Sequence, residues 1–393
     1  MCDGAAVALT PAALSNQTTA TETPDLEAGE SCTLTFASAN LTDTDASDPP
    51  DNLDGDNNGL PGGDKTVTFG VRPDAVADSY TNVHTNIGLS VPLANGVLAN
   101  DDLGDVSPAT LVGWGSSAVN AQANSVAADA QGATAQGGLA TVNADGSFDY
   151  DPPPGFTGTD NFFYHISNAN GDHVGQVDLA VAGTRIWFIN DTSPGSANLG
   201  TLQNPFTALS NFNGSANTQT GDFVHIEHNS AAYNGGITLK NNMTVIGEGA
   251  TGSLPGFVAS LVTISPFSPI LPTLGGARPV LTNGSGDGVT LAATNTLRGF
   301  NVGSTSGAGI SGSGAGMLMA AECSITGTGV GINVSDKTLA ANFNDISSSN
   351  NSGILLNSVG GDFDVSNTVG SIINAGSNIA VSIVGSLYCS VSA

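Results

Sequence analysis

The C-terminal half of the chain repeats one pattern of apolar and polar positions about every 22 residues. Each repeat opens with a tetrad in which glycine precedes an apolar residue, and successive tetrads follow at steps of 21, 22, 22 and 25 residues. Such a period predicts a repeat protein in which each repeat is one stacked structural unit. The tetrads are Gly288-Val289-Thr290-Leu291, Gly309-Ile310-Ser311-Gly312, Gly331-Ile332-Asn333-Val334, Gly353-Ile354-Leu355-Leu356 and the altered copy Asn378-Ile379-Ala380-Val381.

The first position of each tetrad carries glycine or asparagine, the residues that best tolerate a left-handed backbone. We therefore predict a tight corner there, followed by a short strand with inward-pointing apolar side chains. A second apolar cluster later in each repeat indicates two or three strands per repeat. Stacked in parallel, these strands predict a right-handed parallel β-helix over residues 184–393. The second clusters are Leu297/Phe300/Val302, Cys323/Ile325, Phe343/Ile346 and Phe363/Val365.

The N-terminal half has a different pattern, typical of antiparallel sheets. Residues 31–36 and 65–69 alternate as half-buried strands do, so residues 1–72 are predicted to be the later strands of a sandwich domain. Residues 73–183 form a second predicted sandwich. Its hairpin turn is Asp145-Gly146, and its core aromatics are Phe156, Phe162 and Tyr164. No sustained helical period occurs, which predicts an all-β chain.

The charge of the chain makes two classes of binding partner unfavourable. The formal net charge is −27, and 24 of the 34 acidic residues lie in residues 1–183. Such a surface repels nucleic acids and anionic membranes, so neither is an expected partner. No run of eighteen or more apolar residues occurs, so no membrane-inserted segment is predicted. Two interpretations of the acidic half stay open, namely calcium sites and a solvated acidic surface.

The main candidate calcium ligands are oxygen-bearing residues near the predicted boundary between the two sandwich modules. Calcium takes six to eight oxygen ligands, which carboxylates and amides supply. The alternative is a simple turn, because Asn and Asp side chains cap their own backbone. The candidate residues are Asp74, Asp78, Asn100, Asp101 and Asp102.

Two further motifs resemble metal sites less closely. The run Asp54-Gly55-Asp56-Asn57-Asn58-Gly59 matches the first positions of an EF-hand loop, but Lys65 stands where the final carboxylate belongs. It is predicted to be an exposed turn or a looser calcium loop. In His225-Ile226-Glu227-His228, a strand would put His225 and Glu227 on one face and His228 on the other. That arrangement does not suit a three-ligand zinc site, and we expect a core-edge or solvated position.

Four cysteines are present. Cys2 and Cys32 lie in one small β region, where a disulfide is expected if the protein is exported. Cys323 and Cys389 are about three repeats apart, or roughly 14 Å at ~4.8 Å per stacked strand. That separation exceeds the ~7 Å limit for a disulfide, so both are predicted to be free and buried.

Residues 1–183 resemble modules of large bacterial surface proteins. The motifs Gly29-Glu30-Ser31-Cys32-Thr33 and Asp48-Pro49-Pro50-Asp51-Asn52 resemble the later half of a bacterial Ig-like domain. Residues 73–183 resemble the cadherin-like tandem repeat of bacterial adhesins, which implies an Ig-like β-sandwich with calcium near module junctions. The phrases that carry this second resemblance are 74–78, 97–102, 145–150 and 154–164.

Residues 184–393 resemble the start of the pectate-lyase-like β-helix domains of bacterial surface proteins. The resemblance implies a capping strand followed by early coils with an Ile-Gly-x-Gly corner. No terminal cap is evident, and the residues from Met1 onwards show no signal-peptide pattern, so we expect a fragment of a longer protein. The matching segments are 185–191, 200–206, 222–226, 236–239 and 245–249.

These resemblances imply a secreted or surface-anchored, adhesin-like protein without enzymatic activity. Its expected partner is a cell-surface glycan or protein, and calcium is its expected cofactor. One alternative is a purely structural spacer. Another is a polysaccharide lyase or hydrolase, which needs a base or two carboxylates. The bases in the repeat region are Arg185, Lys240, Arg278, Arg298 and Lys337, and the carboxylate pair would be Asp345 with Asp362 or Asp364.

Overall fold

The structure, a computed structural model, describes residues 9–10, 21–22, 31–36, 54, 57, 60, 62–104, 108–193, 197–229, 231–349, 351–366, 381–385 and 389–392. Within these residues it contains thirty β-strands, three α-helices and two short 3-10 helices. The chain is therefore nearly all β, as the absence of a helical period predicts.

The elements have the following bounds. The first thirteen strands are β1 (Leu9–Thr10), β2 (Thr21–Glu22), β3 (Ser31–Phe36), β4 (Lys65–Gly70), β5 (Asp78–His84), β6 (Leu89–Val91), β7 (Thr110–Gly115), β8 (Val126–Ala127), β9 (Gln131–Ala133), β10 (Leu139–Val142), β11 (Phe148–Asp151), β12 (Gly158–Asn168) and β13 (Gly171–Ala182). The remaining strands are β14 (Ile186–Ile189), β15 (Phe223–Ile226), β16 (Tyr233–Asn234), β17 (Ile237–Thr238), β18 (Met243–Gly247), β19 (Val280–Asn283), β20 (Val289–Thr290), β21 (Asn295–Arg298), β22 (Asn301–Thr305), β23 (Ala308–Gly312), β24 (Met317–Gly327), β25 (Val330–Ser335), β26 (Thr338–Ser348), β27 (Ile354–Asn357), β28 (Gly360–Val365), β29 (Val381–Val384) and β30 (Cys389–Ser392). The α-helices are α1 (Ala118–Gln122), α2 (Leu209–Gly214) and α3 (Leu254–Phe257), and the 3-10 helices span Leu93–Asn95 and Ala259–Thr263.

Strands β5 to β13 form two sheets that share one core, and we call this unit the sandwich. One sheet has the order β6-β11-β10-β9 and the other β5-β13-β12-β7-β8. Burial alternates along β12 and β13 because every second side chain of a strand points to the core. The predicted hairpin at Asp145-Gly146 joins β10 to β11, and Gly146 takes a φ of +87°. Both sheets bury aromatic side chains: Tyr80, Trp114, Phe148, Tyr150, Phe162 and Tyr164.

Strands β14 to β30 form a second unit in which paired strands are parallel, and we call it the parallel stack. They lie in three rows. The first row runs through β14, β15, β18, β21, β24, β26, β28 and β30, the second through β16, β19, β22, β24 and β26, and the third through β17, β20, β23, β25, β27 and β29. Strand β24 belongs to two rows because the chain bends at Glu322, whose φ is 60°.

The tetrads of the sequence pair with one another in the third row. Val289 pairs with Ile310, Ile310 with Ile332, and Ile332 with Ile354. Because the three pairings are in register, one apolar side chain from each repeat stacks on the next inside the core. The second apolar clusters are also buried there, as predicted.

The predicted corner at the tetrad glycine is wrong. Gly288, Gly309 and Gly331 do not have positive φ values. Glycine is needed there because the neighbouring strands leave no space for a side chain. A Cβ on Gly309 would lie 2.5 Å from the Cγ2 atom of Ile325 and 2.7 Å from the carbonyl oxygen of Gly331. Any larger residue would push the third row away from the second.

The fifth tetrad falls largely outside the described residues, since only Val381 of it is described. Ile354 pairs with Val381, not with Ile379 as the tetrad alignment predicts. The strand β29 is therefore two residues out of register with the simple repeat. The longer final step of 25 residues is consistent with this offset.

The first end of the parallel stack is closed by α2 and by a buried carboxylate. Leu209 and Phe212 of α2 pack into the core of the stack. Asp222, 2% exposed, accepts hydrogen bonds from Arg185 Nε at 2.9 Å and Trp187 Nε1 at 2.7 Å. With the Gln219 amide, which donates to Oδ2 at 2.6 Å, three donors satisfy a carboxylate that would otherwise be costly to bury.

Residues 248–279, between β18 and β19, cover the outer face of the first strands, and we call them the cover segment. Leu254, Val258 and Leu261 of this segment pack with Ile186 and Phe188 of β14. The cover segment therefore gives β14, β15 and β18 a second apolar layer. Such strands are buried on both faces, and their sequences read as continuous apolar runs.

Cover-segment packing also explains the position of His225. This side chain is 1% exposed, and its ring lies 6.1 Å from that of Phe188. Burial lowers the pKa of His225 to about 4, so the ring is neutral at physiological pH. His225 is therefore buried more deeply than the core-edge or solvated position that the sequence predicts.

The region before residue 71 is described only in part. Strands β3 and β4 form an antiparallel hairpin, in which Cys32 faces Phe69 and is buried. Cys2 lies outside the described residues, so its disulfide with Cys32 stays a prediction. Cys323 is free and buried, as predicted, and burial raises the pKa of its thiol to about 12.

Candidate functional site

The predicted calcium ligands come together where the chain enters the sandwich. Asp74 and Asp102 form a short antiparallel bridge. The Asp74 amide donates to the Asp102 carbonyl at 3.0 Å, and the Asp102 amide donates to the Asp74 carbonyl at 2.9 Å. This bridge fixes the entering segment against the loop that follows the first 3-10 helix. The sequence prediction that these residues are neighbours is therefore supported by the backbone.

The Asp101 carboxylate fastens the entering segment. Its Oδ1 accepts a hydrogen bond from the Val76 amide at 2.7 Å and another from the Tyr164 hydroxyl at 2.8 Å. Asn100 donates to the Val76 carbonyl at 3.4 Å. These contacts join residues far apart in the sequence, whereas Asp102 makes the local bond that the turn interpretation predicts, since its Oδ1 accepts from the Gly104 amide at 3.1 Å. The same residues thus act as a structural clip.

Two carboxylates of this site each keep one buried oxygen atom that accepts no hydrogen bond. In the described part of the chain, Asp78 Oδ2 and Asp101 Oδ2 are buried and have no hydrogen-bond partner. Burial, and then the charge of Asp101, raises the pKa of Asp78 to about 7. Burial also raises the pKa of Asp101 to about 6. Such a pair takes up either a proton or a cation.

The donor set fits a hydrated cation better than an enclosed calcium cage. Asp74 is engaged with His173, since its Oδ1 lies 2.9 Å from His173 Nδ1. Among the described residues no group of three acidic, histidine or cysteine side chains is placed to hold a metal ion. Asp78 and Asp101 would supply only part of the six to eight oxygens that calcium needs. Water would have to supply the rest.

The raised pKa of Asp78 predicts that stability falls as pH rises. The folded protein holds this proton more tightly than the unfolded chain, whose carboxyl has the ordinary value of 3.8. Its stabilising contribution is therefore complete below about pH 4 and is lost as pH rises towards 7. After discounting for partial exposure we expect a loss of about 1–2 kcal/mol, measured by urea unfolding at pH 4.5 and pH 8.

Asp78→Asn should reduce that pH dependence, because the amide resembles the protonated acid. Asp178→Asn removes one charge from the same unit outside this pair and serves as the matched control. If Asp78→Asn retains the full difference between pH 4.5 and pH 8, the carboxylate pair is not its source.

A second group of polar residues joins the sandwich to the parallel stack, and we call this contact the joint. Asn86, fully buried with a φ of 64°, lies at its centre. Its Nδ2 donates to the Ile186 carbonyl at 3.0 Å, and its Oδ1 accepts from the Gly155 amide at 2.6 Å. Its carbonyl accepts from the Leu202 amide at 2.8 Å. One residue thus bonds both units.

The cover segment makes further bonds across the joint. His84 Nδ1 lies 2.8 Å from the Thr85 carbonyl, and His84 Nε2 lies 2.8 Å from Ser260 Oγ. Burial lowers the pKa of His84, so the neutral ring donates from Nδ1 and accepts the Ser260 hydroxyl at Nε2. The Ser265 amide donates to the Asn82 carbonyl at 2.8 Å.

A buried acid completes the joint on the opposite edge. Asp151 of β11 accepts hydrogen bonds through Oδ2 from Thr201 Oγ1 at 2.8 Å and from Asn204 Nδ2 at 2.7 Å. Burial raises its pKa to about 6. Three separate sets of bonds, around Asn86, His84 and Asp151, therefore hold the two units together.

Four of the five basic groups named for the alternative enzymatic interpretation make structural contacts. Arg185 pairs with Asp222 and Arg298 pairs with Glu322, each at 2.9 Å or less. Lys337 is 2% exposed, and its Nζ donates to the carbonyls of Ala292, Ala293 and Gly314. Lys240 Nζ bonds the carbonyl of Thr218.

The acidic pair of that interpretation lies on the first two rows. Asp362 and Asp364 are two residues apart on β28, while Asp345 lies on the second-row part of β26. Asp362 pairs in register with Ala340, and Asp364 with Asn342. Most of the EF-hand-like motif lies outside the described residues, and Asp54 is bridged to Gly62.

One comparison with known proteins gives a match, and it covers the sandwich. The family model for a bacterial Ig domain matches residues 71–180, which nearly coincide with the predicted second module at 73–183. No curated protein and no solved structure matches the chain. Across the described residues, no helix is both long and apolar enough to cross a membrane.

Proposed function

We propose that this chain belongs to a secreted or surface-anchored bacterial protein of the adhesin type, in which the sandwich carries a β-helix and displays it for contact with a glycan or a protein. The match to a bacterial Ig domain at residues 71–180 supports a surface location, because bacterial Ig domains often occur in surface proteins. In this proposal the sandwich is a cadherin-like module, and no catalytic residue is assigned.

In this proposal the displayed element is the parallel stack. We interpret it as a right-handed parallel β-helix of the pectate-lyase-like kind. Three rows of parallel strands and in-register tetrads support this. Along the third row a line of uncharged polar side chains points away from the core. Its members, Thr238, Thr290, Ser311 and Asn333, pair directly with one another. Such a flat polar line suits contact with an extended ligand.

The observation that carries the proposal is the joint. Adjacent domains of one chain usually move relative to each other unless their interface is extensive. Here buried Asn86, His84 and Asp151 bond across the interface. A fixed joint presents the β-helix at a constant angle, which a display module requires and a flexible spacer does not.

Binding of the labelled chain to a glycan array and to bacterial and animal cells tests the function. We expect selective binding that Asn333→Arg weakens at least about tenfold, because a long cation on the flat line blocks contact. Thr338→Arg, on an exposed site of the first row, is the matched control and should bind normally. Release of unsaturated or reducing ends from uronic-acid polymers would contradict the proposal and favour the enzymatic alternative.

Calcium bound at Asp78 and Asp101 is a further part of the proposal. A ligand present at 100 times its Kd adds ~2.7 kcal/mol to stability. We therefore expect millimolar Ca²⁺ to raise the unfolding temperature by several degrees over EDTA at constant ionic strength. Asp101→Asn should abolish the shift, whereas Asp178→Asn should keep it. An equal unfolding temperature in both buffers would contradict calcium binding at Asp78 and Asp101.

A further inference from the structure

Two buried histidines lie against the cover segment, and the display role gives neither of them a task. His84 of β5 is 2% exposed and His225 of β15 is 1% exposed. His84 Nε2 lies 2.8 Å from the hydroxyl of Ser260, which belongs to the cover segment. His225 pairs in register with Phe188 and Ile246, so it lies on the sheet face against which the cover segment packs. The two rings therefore face one segment from two sides.

His225 is held as a neutral ring. Neither of its ring nitrogens has a hydrogen-bond partner among the described residues. A protonated imidazole carries a charge and two N–H donors, and burying these without acceptors or water is costly. Burial accordingly lowers the pKa of His225 to about 4, and the backbone of Ile246 opposes this shift only in part. Proton uptake at this ring is therefore favourable only when the layer above it opens.

The elements around His225 offer little compensation for a positive charge. The cover segment has no acidic or basic residue between Glu248 and Arg278, and the strands β14, β15 and β18 contain none besides His225. Burial, and then the charge of Glu248, raises the pKa of Glu227, so this acid loses its charge early as pH falls. The titratable residues within two positions of the strand ends are Arg185, Asp191, Asp222, Glu227, His228 and Glu248.

His84 contacts the cover segment from the sandwich side. The groups against its ring, Thr85, Gly183 and Ser260, are uncharged. Burial lowers the pKa of this ring as well. A proton added at Nε2 turns that atom into a donor, so the Ser260 hydroxyl can no longer donate to it. Proton uptake by His84 therefore removes the bond to the cover segment in its present form.

We propose that residues 258–267 form an acid-sensitive lid, which leaves the sheet when His84 and His225 take up protons and thereby loosens the joint. Opening uncovers the apolar outer face of β14 and β18. It also breaks the bonds that Ser260 and Ser265 make to the sandwich. This device acts on the rigidity of the joint and does not depend on the glycan contact proposed above.

The segments on both sides of the lid are anchored to the parallel stack. Before the lid, the Thr251 amide donates to Glu322 at 3.2 Å, and the guanidinium of Arg298 lies 5.3 Å from the ring centre of Phe257. After it, the Gly275 amide donates to the Glu248 carbonyl at 2.8 Å. The lid can therefore open between two fixed ends without unfolding of the stack.

The direction of the pH effect follows from the two rings. Their lowered pKa values favour the closed lid fully above the ordinary histidine value of 6.5, and this advantage is lost as pH falls towards 4. Asp78 and Asp101 act in the opposite direction within the sandwich, because their pKa values are raised. Local hydrogen exchange in the lid separates the two effects, whereas urea unfolding of the whole molecule adds them together.

Hydrogen exchange of the whole chain at pH 7.5 and pH 5.0, followed by mass spectrometry, tests this lid. After correction for the intrinsic exchange rate, we expect the opening equilibrium of peptides from 258–267 to rise at least about tenfold at pH 5.0. Peptides from β12 should keep their protection, because the sandwich stays folded.

Three variants assign the effect to the two rings. His225→Leu keeps an apolar side chain in the layer and removes the titrating ring, so most of the rise should disappear. His84→Gln removes the titrating ring on the sandwich side and should also reduce the rise. His228→Gln, the matched control, removes a less buried histidine of the same segment and should leave the rise intact.

Three results would overturn the proposal. They are equal exchange of the lid peptides at both pH values, a rise that persists when His225→Leu and His84→Gln are combined, and a loss of protection in β12 that accompanies the lid. Should His225→Leu pack poorly at pH 7.5, the unmodified chain and His84→Gln still provide the test.

Discussion

Asn86→Ala is expected to lower the free energy of unfolding by about 3–5 kcal/mol and to uncouple the two units of the molecule. The change leaves the Ile186 carbonyl and the Gly155 amide buried without partners, each at a cost of about 1–3 kcal/mol. It also places alanine at a φ of 64°, which asparagine tolerates and alanine resists at about 1 kcal/mol. Hydrogen exchange followed by mass spectrometry measures the protection of backbone amides in the sandwich and in the parallel stack separately.

In the unmodified chain, we expect peptides from β12 and from β18 to lose protection at the same urea concentration, because the joint couples the two units. In Asn86→Ala they should separate. The matched control is Asn242→Ala, which changes the same residue type at a similar φ of 59° on an exposed turn of the parallel stack. It should cost only about 1 kcal/mol and keep the two transitions together.

Asp160→Ala is expected to destabilise the sandwich by about 3–5 kcal/mol. This carboxylate is 0% exposed and accepts four hydrogen bonds, from Thr134 Oγ1 at 2.5 Å, Tyr150 Oη at 2.9 Å and the amides of Gln136 and Asn161 at 2.8 Å. Removing it leaves four donors without an acceptor, and stranded buried donors dominate the cost. Urea unfolding followed by circular dichroism measures the loss.

Asp160→Asn should cost less than Asp160→Ala, because one amide oxygen can still accept two of the four bonds. Asp178→Ala, on a partly exposed position of β13, is the control and should change stability by less than about 1 kcal/mol. A loss below about 1 kcal/mol for Asp160→Ala would mean that the four donors find water or other partners.

The repeat pattern predicted the parallel stack well because its signal is local and periodic. The apolar positions of the tetrads set the register, and Val289, Ile310, Ile332 and Ile354 pair accordingly. The tetrad glycines do not form the predicted corners; they make room for the neighbouring row. Their role depends on the distance between the second and third rows, which no local pattern encodes.

The sequence placed the five acidic and amide candidates together, but it could not reveal the two uses of Asp101. Its contacts with Val76 and Tyr164 depend on how the entering segment folds back onto β12. No pattern in the sequence predicts the joint. Asn86 and Asp151 bond to residues at least 50 positions away, and neither stands in a recognisable motif. An isolated asparagine or aspartate in a strand-rich chain carries no sequence signal for such a contact.

The bonds of the joint hold the sandwich and the parallel stack as one rigid body. Pulsed electron paramagnetic resonance between spin labels at Val119 of α1 and Met319 of β24, both exposed, measures this rigidity. We expect a single narrow distance distribution in the unmodified chain and a broader one in Asn86→Ala. A broad distribution in the unmodified chain would contradict the rigid joint and, with it, the display function proposed for this protein.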